Sequence, residues 1–487
     1  MPIGTGANVV LTPSSGLHQL RVAAEARTLQ TPPAERAASP YAPALRSATV
    51  RAIVTGGRRM VTALALAGGL AACAGVLDLD TLSPRPAAED PDGAVPDPPV
   101  ATTDAAAIDA PAADAHDAFV PPPAPRILAS KYSHTCASRT GGGLFCFGTN
   151  AHGELGDGTK VDRAVPTLVL GNPLVEDVAT GLEHTCILQK ANVVRCWGSN
   201  AKFQLGDLTN TSRTSVGEAV QGSFTFVSAG FYHTCALTVG REVRCWGDNY
   251  YGVVGDGTRE SRNFAARAID STGVELTDVI SLATGAFHTC AAFTNGTVSC
   301  WGYNRYGELG YTTSGTCDGP EELCSLVPTT VPGIDHVVQV AAGYAHTCAL
   351  RDDGTVWCWG ANDQKALGDG TTVLTRIIPA PTAGALQTVV EIAAGWQNTC
   401  ARLVNGTVRC WGRNDFGELG NGKSDPGTSV PDTPMFGLSG VTRLTTGDHA
   451  CAFDGAGALQ CWGRNDHGQL GISTSGNSVL KPTVIPF

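Results

Sequence analysis

From residue 126 onward the chain is written in short apolar strings separated by polar, glycine-rich connections. One unit runs VVQVAAG (337–343), then HTCAL, then TVWCWG. After a loop comes a string such as VPTLVL (165–170) or VPTTVP (327–332). Strings of this length, rich in β-branched and aromatic residues and bounded by turn formers, predict strands, four to a unit. The unit recurs seven times, each copy marked by two cysteines ten residues apart, and the copies are offset by 50, 49, 55, 58, 52 and 51 residues. A fixed period in this range marks a repeat architecture, and seven four-stranded antiparallel units of equal size predict an all-β fold, a seven-bladed β-propeller over 126–487.

The spacing of ten fits a hairpin. With Cys348 opposite Cys358, Leu350 faces Val356 and Arg351 faces Thr355, leaving Asp352, Asp353 and Gly354 as the connection. The third residue of such a loop favours the left-handed region. Gly142, Asn192, Gly296, Gly354, Gly406 and Gly457 suit it, whereas Arg241 follows Gly240 and suggests a turn slipped by one. Opposed cysteines on neighbouring strands are close enough to bond. The expected disulfides are therefore Cys136–Cys146, Cys186–Cys196, Cys235–Cys245, Cys290–Cys300, Cys348–Cys358, Cys400–Cys410 and Cys451–Cys461. An eighth, Cys317–Cys324, clips an insertion after Gly310, either a specificity element or an ornament.

A histidine two residues before the first cysteine (His134, His184, His233, His288, His346, His449) makes a His/Cys/Cys set, a zinc-like combination. Asn398 breaks the series, and a spacing of ten is not that of a zinc knuckle. We therefore expect no metal and no cofactor, with each imidazole hydrogen-bonding backbone near a blade edge. The aromatic after each second cysteine (Phe147, Trp197, Trp246, Trp301, Trp359, Trp411, Trp462) reads as inter-blade core.

The first 125 residues differ in character. Residues 1–53 show no regular apolar period and read as an extension outside the folded protein, the true start falling at Val54 or Met60. Residues 54–73 have arginines, a short apolar run and LAAC, the pattern of a secretory signal peptide. The LAAC string resembles the lipobox of bacterial lipoproteins, which implies that Cys73 is the lipidated first residue. Residues 74–125 are mostly Ala, Pro, Asp, Thr and Val, with ten acids against Arg85 alone. Such a segment buries too little to fold and reads as a disordered tether. Of the formal charge of −11, residues 1–73 carry +5 and 74–125 carry −9, which leaves −7 for 126–487. That balance argues against nucleic acid as a partner, and limits membrane contact to the lipid anchor.

The repeated phrase, as in GYAHTCAL…GTVWCWGANDQKALG, resembles the repeat of the regulator of chromosome condensation family across residues 126–487. The resemblance implies a seven-bladed propeller. The family's eukaryotic founder is a nucleotide exchange factor for a nuclear GTPase and binds chromatin, while a secreted bacterial relative of the same shape inhibits β-lactamase. The paired cysteines depart from the intracellular pattern and point to an oxidising compartment. The chain begins its first copy before the hairpin and ends on KPTVIPF, an outer-strand motif, so the last strand is expected to share a blade with the beginning.

Strand direction places the G-x-x-H turn and the W-G-x-N-x-x-G loop at one end of the ring. Tyr132, Phe231, Tyr232, Phe287, Tyr344 and Trp396 come from the first, and His152, Tyr251, Tyr306, Phe416 and His467 from the second. Together they form either an exposed aromatic surface for a protein or glycan, or a plug in the channel mouth. DDGTVW (352–357) is similar to a sialidase Asp-box, but it occurs once and reads as a turn. No nucleophile elbow, phosphate loop or zinc-protease helix appears. The expectation is a non-catalytic, monomeric binding scaffold anchored in the cell envelope, at the outer membrane or cell surface. The alternatives are an exchange-factor-like regulator and a glycan-binding or glycosidase propeller.

Overall fold

The structure, a computed structural model, describes residues 127–486 apart from 139–141, 172, 318, 320–321, 385, 432–434, 436 and 474–475. The extension, the signal peptide with Cys73 and the tether lie outside the described residues. Seven antiparallel sheets follow one another along the chain: blades 1 to 7 span 128–168, 175–220, 224–267, 279–330, 337–381, 389–428 and 443–484. In blade 5 the inner strand Val337–Ala342, the second His346–Arg351, the third Val356–Ala361 and the outer Thr375–Pro381 pair in sequence order. Blade 2 has a three-stranded ladder, with its outer strand reduced to the bridges Arg195↔Ala219 and Gly198↔Arg213.

The hairpin register is Cys348 opposite Cys358 and Leu350 opposite Val356, and Arg351 N–H bonds Thr355 O at 3.0 Å. Each of the seven ten-spaced cysteine pairs is bonded, with Cα atoms 4.1 Å apart. The turn at Arg241 does not slip. Arg241 itself adopts φ 62°, and its N–H bonds Thr238 O at 2.9 Å, as Gly296 N–H bonds Phe293 O in the next blade. The three-residue loop between paired strands dictates the backbone there, and the side chain tolerates it.

Packing between blades supplies the core, because a twisted four-stranded sheet hides its apolar faces only against its neighbours. Trp359 of blade 5 lies among Val298, Cys290, Cys300 and Leu309 of blade 4 and is fully buried, and the other five tryptophans of the series are as deeply placed. Burying a side chain of this size contributes roughly 2–3 kcal/mol.

Ring closure corrects the expectation of a shared blade. The last strand, Ser478–Val484, pairs with Leu459–Arg464 inside blade 7, and the first, Leu128–Ser130, pairs inside blade 1. Every copy completes its own sheet, so the ends meet face to face like any other pair of blades. Phe147 packs with Leu470, Ile485 and Cys461, while Ser130 N–H bonds Thr445 Oγ1 at 3.1 Å.

Candidate functional site

One end of the ring is assembled by a backbone bond repeated in every blade, from the loop after the third strand to the turn before the second. Ser199 N–H bonds Glu183 O at 2.8 Å, Tyr303 bonds Phe287 O at 2.8 Å and Arg413 bonds Gln397 O at 2.9 Å. Both variable positions of the repeat therefore face the same way.

The aromatics at this end divide into a plug and a rim. Tyr132 and Phe231, expected either on the exposed surface or as a plug in the channel mouth, are 1% and 6% exposed. They fill the channel mouth, rings 4.8 Å apart, because the residue after the turn glycine points at the axis where the blades converge. Phe231 touches Phe287 at 5.1 Å, Tyr344 at 5.6 Å and Trp396 at 5.6 Å. Tyr232, Phe287, Tyr344 and Trp396 are half-buried around the plug, with Tyr344 stacked on Trp396 at 4.6 Å. A ridge continues outward from Phe287 to Tyr251 (5.4 Å) and on to Tyr303 (4.6 Å). Tyr306 and His467 are exposed, and His152 is half-buried with its ring 4.0 Å from Glu183. Phe416 lies between the guanidinium groups of Arg413 (5.2 Å) and Arg464 (5.1 Å). Beside them burial lifts the Asp448 carboxyl to about 6 despite Arg464 and Arg413.

Beneath the plug, Lys131 stands where most other blades have the turn glycine. Its ammonium crosses the channel to the carbonyls of Thr284 and Ala229. A cavity of about 120 Å³ follows the axis between the inner strands.

The histidines act chiefly across the blade seams, with backbone hydrogen bonds at His288 (to His346) and His449 (to Tyr132) besides. Each Nε2 meets the threonine hydroxyl of the next blade: His134 with Thr185 (2.8 Å), His184 with Thr234 (2.9 Å), His233 with Thr289 (3.1 Å), His288 with Thr347 (2.9 Å) and His346 with Thr399 (2.9 Å). His449 closes the circle on Thr135 at 2.5 Å. The threonine in turn donates to a loop carbonyl of the preceding blade. Thr185 donates to Glu154 O, which also receives Trp197 Nε1–H at 2.8 Å. Because the hydroxyl proton is committed, the threonine oxygen must accept, so the imidazole carries its proton on Nε2. Burial holds these rings neutral: it pushes His134, His184, His288 and His449 down to about 3, His346 to about 4, and His233 well below its usual range. Their fixed tautomer and bonded cysteines leave no thiolate beside them, and the described residues hold no group of three metal-binding side chains.

Sequence reasoning missed a second network. In four blades the loop asparagine reaches an aspartate seven residues on, which caps a threonine and grips an arginine: Asn150, Asp157, Thr159 and Arg163 are joined by contacts of 2.7–3.2 Å. Burial alone would raise the Asp157 carboxyl, but Thr159 and Arg163 outweigh it and hold it low. The recurring Gly-Asp-x-Thr string was its signal. Glu154, Glu308 and Glu418 lie buried in the equivalent loops of blades 1, 4 and 6, each accepting the N–H two residues earlier at 2.7–2.8 Å. Burial raises all three, Glu308 to about 8. The Cys317–Cys324 clip stands at this end too, with Asn304 N–H on Leu323 O at 2.8 Å and Arg305 3.6 Å from Glu322.

The molecule is thus a closed propeller of whole blades with a plugged channel and an aromatic rim. A family model described as an RCC1-like domain matches residues 35–372 and 143–487, and the chain belongs to that family. The human E3 ubiquitin-protein ligase HERC2 is 34% identical over 229 residues, 45% of this chain and 4% of the ligase. The secretion-regulating guanine nucleotide exchange factor of Bos taurus is 33% identical over 237 residues, 43% of this chain and 48% of that protein. The alignments span under half of either relative's length. Among solved structures, yeast RCC1 (Prp20) bound to Kap60 superposes with a TM-score of 0.63 at 20% identity, covering 75% of this chain and 85% of that one. Human WBSCR16 gives 0.61 at 23%, covering 70% and 93%. These likenesses are to the fold.

Proposed function

We propose that the propeller is a non-catalytic recognition module that binds a protein partner on its aromatic end and works outside the reducing cytoplasm. The observation that carries this reading is the plug. Tyr132 and Phe231 close the channel, so the end of the ring is a broad surface rimmed by half-buried aromatic rings rather than a cleft. Rigid, partly buried aromatics are the residues that dominate protein recognition. The titratable groups with the most shifted behaviour serve the scaffold instead: the histidines latch blades and the buried glutamates accept backbone N–H groups. Eight disulfides favour an oxidising compartment. On this reading Cys73 is the lipid anchor and residues 74–125 the tether, so the partner is met at the cell envelope.

Immobilised full-length protein in an envelope extract of its host tests this. The triple variant Trp396→Ala, Tyr306→Ala and Phe416→Ala should retain its unfolding temperature within a few degrees and lose partner capture at least about tenfold, by the usual weight of aromatic anchors. Equal capture refutes the surface. Mass spectrometry of the mature N-terminus tests the anchor separately, since a terminus other than lipidated Cys73 removes it. The likeness to the bovine exchange factor favours a second reading, in which the full chain accelerates nucleotide release from a small GTPase.

A further inference from the structure

Six of the seven junctions between blades carry the histidine–threonine latch, and the seventh has lost both halves. Asn398 stands in the histidine position of blade 6 and Ala450 in the threonine position of blade 7. Asn398 is 1% exposed, and neither its Oδ1 nor its Nδ2 has a hydrogen-bond partner. The Glu418 carbonyl, which in other blades would receive a threonine as well, receives among the described residues only Trp462 Nε1–H at 2.9 Å.

The inner strands tell the same story independently. Side chains bridge neighbouring inner strands through Thr180 and Lys131 N (3.1 Å), Asp177 and Val227 N (3.4 Å), Ser228 and Thr284 (2.8 Å), Ser281 and Val340 N (3.1 Å), Gln339 and Ile392 N (2.9 Å), and Thr445 and Ser130 N (3.1 Å). Those are the same six junctions. Among the described residues no such bridge joins Val389–Ala394 to Arg443–Thr446, and Thr446 Oγ1 is buried without a partner. The turn here is also one residue shorter: Gly447-Asp448-His449 replaces G-x-x-H.

We propose that the ring is built to open between blades 6 and 7, away from the junction of its first and last blades. At this seam three buried polar atoms lack partners in the closed ring and gain water when it parts, whereas parting any other seam also breaks a satisfied latch and a satisfied inner-strand bridge. What still spans the seam is the indole bond from Trp462 to Glu418 O, the backbone bonds Gly422 N–H to Leu480 O (2.9 Å) and Trp396 N–H to Gly447 O (3.4 Å), and apolar and cation–π packing. Trp462 packs among Cys400, Val408 and Leu419, and Arg464 rests on Phe416. The seam runs under Trp396 and Phe416, so opening would move two of the rim aromatics relative to blade 7.

Hydrogen exchange on the oxidised full-length protein tests this, comparing the first-turn and inner-strand amides at all seven seams. Those at residues 395–399 and 443–449 should exchange about tenfold or more faster than their counterparts, since one satisfied bond is worth roughly that factor. Installing the latch with Asn398→His and Ala450→Thr should slow them by a similar factor. Removing it elsewhere with His288→Asn and Thr347→Ala should speed exchange at the seam between blades 4 and 5 several-fold, short of the rate between blades 6 and 7 because the Ser281–Val340 bridge remains, which keeps the test decisive if the first variant fails to fold. Uniform exchange at all seams, fastest exchange between blades 7 and 1, or an unchanged rate on installing the latch would overturn the proposal.

Discussion

The six latch histidines make acid stability the sharpest consequence of this architecture. In the folded ring His134, His184, His288, His346 and His449 stay neutral to about pH 3–4 and His233 is likewise held well below its usual range, whereas in the unfolded chain each takes up a proton near its usual value of about 6.5. The unfolded state therefore binds more protons across that window. Stability is complete above about pH 6.5 and falls as the pH drops, by about 1.4 kcal/mol per unit for each ring and about 8 for six. Buried acids work the other way. Glu308 and Asp448 keep their protons in the folded state up to about 8 and about 6, so acidification favours folding through them. Subtracting two such groups leaves a slope of about 5 kcal/mol per unit near pH 5, which Glu154 and Glu418 reduce further. Against a typical total of about 5–15 kcal/mol, a fall from pH 6 to pH 5 should bring the oxidised ring near unfolding. Guanidinium midpoints measured from about pH 7 down to pH 4.5 give this slope directly. His346→Asn supplies the control, since it loses roughly 2 kcal/mol at neutral pH through a missing bond and a smaller side chain. It also removes one titrating group, flattening the slope by about 1.4 kcal/mol per unit, and the two proteins should draw level near pH 5. A wild-type curve that stays flat between pH 6.5 and 4.5, or an unaltered slope in the variant, would refute the assignment of neutral latches.

Other outcomes are as definite. Replacing Cys348 and Cys358 together by alanine should lower stability by about 3 kcal/mol, the chain-entropy value for so short a loop, as read from denaturant midpoints without reductant. Trp359→Phe should cost roughly 1–2 kcal/mol in the same assay, because Glu308 O loses the indole N–H at 2.8 Å, and Phe147 already shows that the site accepts a phenyl ring. Arg241→Gly should raise the unfolding free energy by about 1 kcal/mol by relieving its left-handed backbone, and a decrease would contradict the turn assigned to it.

How much of this was readable beforehand follows the range of the interactions. The Cys348–Cys358 register needed only the two-residue period of a strand and a three-residue loop, both local, so the spacing of ten was enough. The inward role of Trp359 was legible because seven large rings at one repeat position demand a common core. The turn at Arg241 was misread because paired strands, not local preference, set its backbone. The latch was misread for a deeper reason: the partner of His134 is Thr185, 51 positions away, and only ring order brings them together. Asn398 and Ala450 are both visible as breaks in the His-Thr-Cys motif, yet nothing in the string says that they face each other. Likewise the aromatic positions announced themselves, but which rings plug the mouth and which line its rim depends on convergence toward an axis that no single repeat contains. Sequence alone thus determined the repeat, its strands and its covalent pairing, where the physics spans a dozen residues. The tertiary ring decided who bonds across the seams and what the closed end presents to solvent, because those contacts exist only once seven blades have met.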